Sequence, residues 1–468
     1  MVGLGRTKYL AATYIVLAGL QRGVSLLILP FITHAMTPSE YGAASVLLAA
    51  SVLLTTVISA PLTQLIIRAA SREDADGPSW LRVAGIYCYL IVPVVAVLVA
   101  APVGLFVSQF LGVAGEIWAI QIVAAGFQPA ASTFALWLLQ GREEIGRFIF
   151  LSSTSVVATA FSKLFFVVGL EWGVLGWVVS DLLGAVIAAI AAIVIVRLPR
   201  ALVDSGHVMY VLKFAIPLIP HNVSMWAVIF LSRPVMALVA PLEQVGLLSF
   251  GLNLAQLAGL VLAETNRATL IRYAREVFPA PTAQTLGPVR WQLFAACAVP
   301  AIVGCSVAGA GRWIFAEAYW PSFYLTGVLL VGQSFLGLYL IPMNYLTQTA
   351  GLPRFSAFAS SAGAVTVVAL TLSFGVKYGA VGAAYSTAAA YLIMAVISMV
   401  LTIANKLDIA WRTWLAGWPG MALAAVALGF SVLALTFPVG SPLGPIFVTG
   451  CLSFLLLAGA LVARQSRS

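Results

Sequence analysis

The stretch RFIFLSSTSVVATAFSKLFFVVGLEWGVLGWVVSDLLGAV, residues 147–186, decides the fold. It holds two apolar runs on either side of a short turn at Gly173, and each run has about the 20 residues that cross the hydrocarbon core of a bilayer. It resembles RFSAFASSAGAVTVVALTLSFGVKYGAVGAAYSTAAAYLI, residues 354–393, in which Gly379 follows Gly173 at an offset of 206. The sequence therefore contains a repeated hairpin of two membrane spans.

A second pair of stretches extends this repeat toward the N-terminus. PSEYGAASVLLA at 38–49 resembles LEQVGLLSFGLN at 242–253, with Gly42 and Gly246 at an offset of 204. Such similar offsets predict that a unit of six spans is duplicated. Because six is even, both copies enter the membrane from the same side, which predicts a parallel repeat with the functional site between the halves.

Composition predicts the same class of protein. Of the 468 residues, 62% are hydrophobic and 8% are charged, with a mean hydropathy of +1.05. A soluble domain carries roughly 25% charged residues, so this chain has too few to cover a water-facing surface. The four cysteines all lie in apolar runs without metal-ligand spacing, so we expect neither a metal site nor a disulfide framework. We predict an all-α polytopic membrane protein.

The apolar segments predict the domain organisation. About 14 of them are long enough to span a bilayer, at 9–32, 43–67, 83–108, 117–140, 148–169, 173–196, 212–239, 245–270, 288–310, 321–347, 355–376, 380–404, 413–435 and 443–463. We predict two six-helix lobes around a central cavity, residues 1–205 and 206–408, and two additional transmembrane helices in 409–468.

The basic residues predict the orientation. With a cytoplasmic N-terminus, 19 of the 24 lysines and arginines fall in connections on the cytoplasmic side or in the termini. This asymmetry is the one that orients membrane proteins. It predicts that both termini are cytoplasmic. The net charge of +9 is thereby explained by topology, and no nucleic-acid partner is expected.

Several motifs make the chain similar to Wzx-type polysaccharide (O-antigen) flippases of the multidrug/oligosaccharidyl-lipid/polysaccharide exporter superfamily. The motifs are LLILPFITHAMTPSEYG at 26–42, KFAIPLIPHNVSMWAVIFLSR at 213–233, VG at 245–246 and KYGAVGAAYSTAAA at 377–390. The resemblance implies alternating access and transport of a lipid-linked oligosaccharide across the bacterial inner membrane, among membrane lipids and in association with glycan polymerase machinery. Family members often carry an Asp-Arg pair in span 7, where this chain has Ser232-Arg233.

Two arginines lie deep within predicted spans. Arg22 is 14 residues past Lys8, about 21 Å along a helix, and Arg233 is ten residues before Glu243, about 15 Å from the opposite end. Charges inside membranes usually face interiors or transport pathways. Because the guanidinium fork binds phosphate in a bidentate way, we predict that Arg22 and Arg233 bind the pyrophosphate of the substrate. The alternative is that each arginine hydrogen-bonds to neighbouring carbonyls.

Other polar residues leave alternatives open. Lys163 and Asp181 reach similar depth on adjacent antiparallel helices, so they form an ion pair or Lys163 joins the substrate-binding cations. His221 packs through hydrogen bonds or couples transport to protons. Sugar hydroxyls have candidate partners at Gln64, Gln121, Gln128, Asn253, Gln256 and Asn344.

Four prolines in two spans are candidate hinges. Each removes a backbone N–H and weakens its helix locally, so the consequence is a static kink or a bend that opens and closes the cavity. They are Pro30, Pro217, Pro220 and Pro234.

Two rival functions are also transport functions, and a third is enzymatic. A multidrug extruder needs buried acids, of which only Asp181 is available, and a peptidoglycan-precursor flippase shares the fold and the cationic interior. A membrane glycan polymerase or ligase would need a larger outer loop with catalytic residues. The outer loops here are short, so we predict a carrier that is not an enzyme. No nucleotide-binding loop of the form GxxxxGK[ST] is present, so we expect no ATP-driven transport and no cofactor.

Overall fold

The computed structural model describes residues 24, 27–72, 74–411, 418–437 and 443–465. The chain divides into two compact units, Met1–Trp226 and Ala227–Ser468. The division at residue 205 that the repeat suggests remains a prediction.

The described residues of unit one lie almost entirely in helices. A helical segment at 27–35, called α1, ends one predicted span. It is followed by α2 (Pro38–Ile58), α3 (Leu62–Ser71), α4 (Gly77–Phe106), α5 (Gly115–Gly141), α6 (Ile145–Gly169), α7 (Gly173–Ile195), α8 (Ser205–Ala215) and α9 (Ile219–Phe230), the last of which ends just past the division between the units. Two short strands, Gln109–Phe110 and Val113–Ala114, form a hairpin between α4 and α5.

Unit two continues in the same manner. Its helices are α10 (Ser232–Val239), α11 (Leu242–Ala274), α12 (Ala283–Ile314), α13 (Pro321–Thr349), α14 (Arg354–Ala404), α15 (Trp418–Thr436) and α16 (Leu443–Gln465). The backbone of α14 leaves the helical conformation at Gly379, so this helix comprises two spans.

The described residues contain eleven helices that are long and apolar enough to cross a membrane, or twelve if the bent pair Ser205–Leu218 and Asn222–Phe230 counts as one span. Counting α14 as two spans raises the number by one. The prediction of an all-α protein with about 14 transmembrane helices is confirmed at this level. The predicted first span lies mostly outside the described residues, and only its end is visible as α1.

The outer faces of these helices are apolar rather than amphipathic. In α4, Leu98, Leu105 and Phe106 are 66%, 78% and 83% exposed. In water, each Å² of apolar area left exposed would forgo about 25 cal/mol of the free energy gained by burial. In a bilayer the acyl chains cover it at no such cost, so the protein is a multi-pass membrane protein.

Four π-helical turns interrupt the described helices, and two of them follow a proline. In α5, Pro129 precedes a π-helical turn over Ala130–Ala135. In α13, Pro342 precedes the π-helical turn Tyr345–Thr349. A proline supplies no N–H to the helix ladder, and the resulting shift in hydrogen-bond register is accommodated by one wider turn. The break between α2 and α3, which divides the predicted span 43–67, is likewise at a proline, Pro61.

The repeated hairpin has the same construction in both units. In unit one, Gly173 begins α7 with φ +54°, and a Cβ there would collide with the carboxylate of Glu40. That carboxylate also accepts a hydrogen bond from the Thr37 N–H at 2.8 Å and completes the capping box of α2. One acidic side chain therefore caps α2 and fills the space beside the turn.

In unit two, Gly379 has φ +57°, and a Cβ there would lie 2.8 Å from Gln244 Oε1. The same oxygen accepts a hydrogen bond from the Ala380 N–H at 3.1 Å. Gln244 follows Glu40 at the offset of 204 that relates Gly246 to Gly42. The sequence repeat thus corresponds to a repeated contact between a helix start and a hairpin turn.

Substituting alanine at Gly379 is expected to destabilise unit two. The positive φ alone costs an L-residue about 1–2 kcal/mol, and the clash with Gln244 adds to it. Thermal unfolding of the purified protein in detergent measures the loss. The control is Gly429→Ala in α15, where a Cβ meets nothing within 4 Å and helix propensity favours alanine. Equal unfolding temperatures for the two variants would contradict the strain assigned to Gly379.

A buried acid organises the connection between α11 and α12. Glu276 is only 5% exposed, and its carboxylate accepts hydrogen bonds from the N–H groups of Val277 and Thr282 at 3.0 and 3.1 Å. The hydroxyls of Thr282 and Thr285 also donate to it, and Thr285 hydrogen-bonds with Tyr345 at 3.1 Å. Burial raises the pKa of Glu276, but these hydrogen bonds outweigh burial and lower the pKa below its ordinary value of 4.5.

This lowered pKa makes stability depend on pH at the acid end. The contribution of the Glu276 carboxylate is fully present above about pH 4.5 and is lost as the pH falls through the lower folded-state pKa. We expect the unfolding temperature of the Glu276→Gln variant to fall less steeply with acidification than that of the wild type. Glu243→Gln, at an exposed position, is the control, and a variant Glu276→Gln with the wild-type acid slope would contradict the assignment.

Candidate functional site

Lys163 and Asp181 form an ion pair in unit one. Lys163 is the last α-helical residue before the π-helical turn of α6, and Asp181 lies in α7, the antiparallel partner in the hairpin. Lys163 Nζ lies 3.0 Å from Asp181 Oδ1, and both side chains are 16% exposed. Nζ also lies 3.6 Å from the centre of the Trp177 ring, a cation–π contact. Of the two alternatives for Lys163, the structure has the paired one.

The pair belongs to a wider polar cluster. Gln121 Nε2 donates to Ser51 Oγ at 2.7 Å and lies 3.5 Å from Asp181 Oδ2. Gln121 is buried, so this candidate for sugar binding is instead engaged with α2 and α7. Trp177 meets Tyr41 edge to face at 6.0 Å. The cluster connects four helices, α2, α5, α6 and α7.

Arg233 lies at the second residue of α10 in unit two and is almost completely buried, with 1% exposure. Its Nη1 donates to the carbonyl of Ile229 at 3.0 Å, and its Nη2 donates to Asn253 Oδ1 at 3.2 Å. The guanidinium also lies over the Phe230 ring at 5.1 Å. In this structure Arg233 therefore joins α9 and α10 to α11, and its role toward a substrate remains a prediction.

Two predicted site residues lie outside what the structure describes. Arg22 falls in the undescribed first residues, and His221 belongs to α9 but its side chain is not described. Their roles in binding and coupling stay predictions.

The predicted hinge prolines lie at breaks between helices or inside α1. Pro217 lies in the 3₁₀ turn Ile216–Leu218, and Pro220 is the second residue of α9. Together they bend the chain by 42° between α8 and α9. Pro234 lies in the first turn of α10, where its missing N–H has no carbonyl partner to lose, and Pro30 lies within α1. Whether these breaks move remains a prediction.

Unit one contains an open polar cavity of about 310 Å³. It lies where the end of α2, the start of α3, the last third of α5 and the bend between α8 and α9 converge. Most of the described residues that line it carry a hydroxyl or an amide group, and none of them is charged. They are Thr55, Thr56, Ala60, Pro61, Thr63, Gln64, Ser132, Thr133, Trp137, Leu218 and Asn222.

Sequence reasoning found Gln64 but missed the hydroxyl groups of this cavity. Thr55, Thr56 and Thr63 are clustered in one apolar stretch, and Ser132 and Thr133 in another, which is the signal that the sequence offered. Two other candidate sugar contacts are engaged elsewhere. Asn253 accepts from Arg233, and Asn344 donates to Asn266 at 2.7 Å.

The fold matches those of known lipid and drug transporters. A structure titled as the lipid II flippase MurJ in an inward closed conformation aligns with a TM-score of 0.75 and 13% identity, covering 97% of this chain and 99% of that one. An inward-facing multidrug resistance MATE family transporter of the MOP superfamily aligns with a TM-score of 0.64 and 13% identity, covering 86% of this chain and 95% of that one. A MOP superfamily transporter from Pyrococcus furiosus, titled for the reverse polarity of its binding pocket, aligns with a TM-score of 0.53 and 13% identity, covering 89% and 95%.

The family assignment comes from the sequence. No curated protein matches the chain. The model of one protein family, described as polysaccharide biosynthesis protein, matches residues 11–271, which is more than half of the chain. With a fold of the MOP flippase and transporter type, the chain belongs to the polysaccharide biosynthesis protein family.

Proposed function

We propose that this protein flips a lipid-linked (polyprenyl-pyrophosphate) oligosaccharide from the inner to the outer leaflet by alternating access. The observation that carries the proposal is the match of residues 11–271 to the polysaccharide biosynthesis family, in a fold that aligns with that of the lipid II flippase over 97% of this chain. The family model supplies the saccharide part of the substrate class. Together they favour a saccharide on a lipid carrier over a free drug.

The charges in the described spans support an anionic substrate. Asp181 is engaged by Lys163 at 3.0 Å, so it is not available to attract a cationic drug. We assign the binding of the pyrophosphate to Arg22 and Arg233, whose fork geometry suits two phosphate oxygens. Lys163 is the third candidate cation, but its pairing favours a structural role.

The proposal includes location and partners. The predicted topology sets both termini in the cytoplasm of a bacterium and the chain in its inner membrane. The substrate would reach the protein from the cytoplasmic leaflet after glycosyl transfer and leave it for a polymerase or ligase on the other side. An association with such glycan polymerase machinery follows from the order of these reactions.

The test is reconstitution in liposomes with three fluorescent probes. They are a polyprenyl-pyrophosphate trisaccharide, lipid II and the cationic dye rhodamine 6G. The proposal expects the trisaccharide probe to become accessible to an external quencher faster than in protein-free liposomes. Movement of the dye alone would identify a multidrug extruder, and movement of lipid II alone would identify a peptidoglycan-precursor flippase.

A further inference from the structure

The polar cavity of unit one, at Gln64 and Asn222, has the chemistry of a sugar site. The amide side chains of Gln64 and Asn222 make no hydrogen bond to another described residue, so each offers both a donor and an acceptor. They come from separate helices, α3 and α9, and line one cavity. A ring bearing several hydroxyl groups can accept from one and donate to the other.

Two hydroxyl groups that line the cavity donate their protons to the backbone. Thr63 donates to the Ala60 carbonyl at 2.8 Å, and Ser132 donates to the Gln128 carbonyl at 2.9 Å. Because the proton of each hydroxyl is committed to the backbone, the oxygen presents its remaining lone pairs as acceptors. Such a wall accepts hydrogen bonds from the O–H groups of a ligand.

Size and aromatic content limit the ligand further. A volume of about 310 Å³ is at the low end of the range of roughly 300–1,000 Å³ for small-molecule sites. The indole of Trp137 gives the wall a flat apolar face, against which the C–H face of a pyranose ring can pack. One sugar ring with little beyond it matches these dimensions.

The lack of charged groups among the described lining residues bears on whether a neutral or an acidic sugar fits the cavity. None of the described lining residues is charged, so a carboxylate that gives up part of its hydration on entering the cavity gains no counter-charge from them. We infer that this cavity is the subsite for one uncharged sugar ring of the transported glycan, and that it selects neutral sugars over uronic acids. The inference rests on the proposed function and names the sugar class that this function would accept.

The test compares two probes in proteoliposomes, a polyprenyl-pyrophosphate hexose and the matching hexuronate. Wild-type protein should flip the hexuronate more slowly, about tenfold, because its carboxylate is partly desolvated without gaining a counter-charge. Gln64→Leu and Asn222→Leu should each slow the neutral probe about fivefold, the effect of one lost hydrogen bond. Gln348→Leu, at an exposed glutamine in unit two, should leave both rates unchanged.

A charge-introducing variant separates specificity from folding. Gln64→Lys supplies a cation at an exposed position of the wall and should raise the rate of the hexuronate relative to the hexose. A variant that merely folds poorly would lower both rates together and leave their ratio unchanged, which contradicts the subsite. Equal wild-type rates for the two probes would also contradict it while the proposed function stands. If the wild type flips neither probe, the proposed function itself fails.

Discussion

Replacing Lys163 with methionine, or Asp181 with leucine, is expected to cost about 3–5 kcal/mol of folding free energy, because each change strands one buried charge. The double variant Lys163→Met/Asp181→Leu should recover most of that loss, since replacement of both partners by apolar groups is often neutral. The physical basis is the 3.0 Å contact between two side chains that are 16% exposed. The measurements are the yield of folded protein in membranes and its unfolding temperature in detergent.

A surface ion pair at the start of the same helix, between Arg147 and the N-cap residue Glu144, provides the matched control. Arg147 Nη1 lies 2.8 Å from Glu144 Oε2, but the arginine is 63% exposed. Arg147→Met should therefore cost no more than about 1 kcal/mol. If the double variant at 163 and 181 remains as unstable as the single ones while export per folded molecule is lost, Lys163 binds substrate and the structural assignment is wrong.

Replacing Arg233 is expected to reduce export per folded molecule by on the order of a hundredfold or more, if the guanidinium binds the pyrophosphate as proposed. The side chain is 1% exposed, so Arg233→Ala also leaves a cavity and removes the donor to Asn253. The informative variant is Arg233→Met/Asn253→Leu, which fills most of the volume and removes the Asn253 acceptor together with its donor, so that only the Ile229 carbonyl loses a hydrogen bond. It should insert and fold, yet transport the pyrophosphate-linked probe at the rate of protein-free liposomes.

The counterpart is Arg22, for which we expect the same loss of export from Arg22→Ala. Arg272→Met, at an exposed position near the end of α11, controls for the removal of one positive charge from unit two. Export at the wild-type rate per folded molecule in both the Arg22 and the Arg233 variants would remove the pyrophosphate site. Retained export in the Arg233 variant alone would leave that residue a purely structural role between α10 and α11.

The sequence predicted those parts of the fold that depend on local composition. Apolar length located the spans, and the matching glycines at 173 and 379 located the repeated hairpins. Both features can be identified within a single segment, because the length and composition of each membrane span are set by the thickness and apolar nature of the bilayer. The pairing of Lys163 with Asp181 also lay within reach, because helical rise fixes the relative depth of two residues across a tight turn.

Other parts depend on contacts between distant segments and were out of reach. The cavity at Gln64 needs four segments to converge, and no single stretch shows that they do. The burial of Glu276 depends on Thr282 and Thr285 folding back upon it. Sequence reasoning gave Asn253 and Arg233 separate roles, toward sugar and toward phosphate, because it could not show that α10 and α11 bring their side chains within 3.2 Å.

The turns at Gly173 and Gly379 are two copies of one structural feature that can be compared within a single protein. The duplication has kept the left-handed glycine in both halves while the residue packed against it has diverged, to Glu40 in one half and Gln244 in the other. The backbone conformation of the turn is therefore the same in both halves, whereas the charge of the side chain that packs against it differs. An engineer who exchanges parts between the halves can treat the glycine as fixed and the side chain beside it as free to vary among acceptors of similar length.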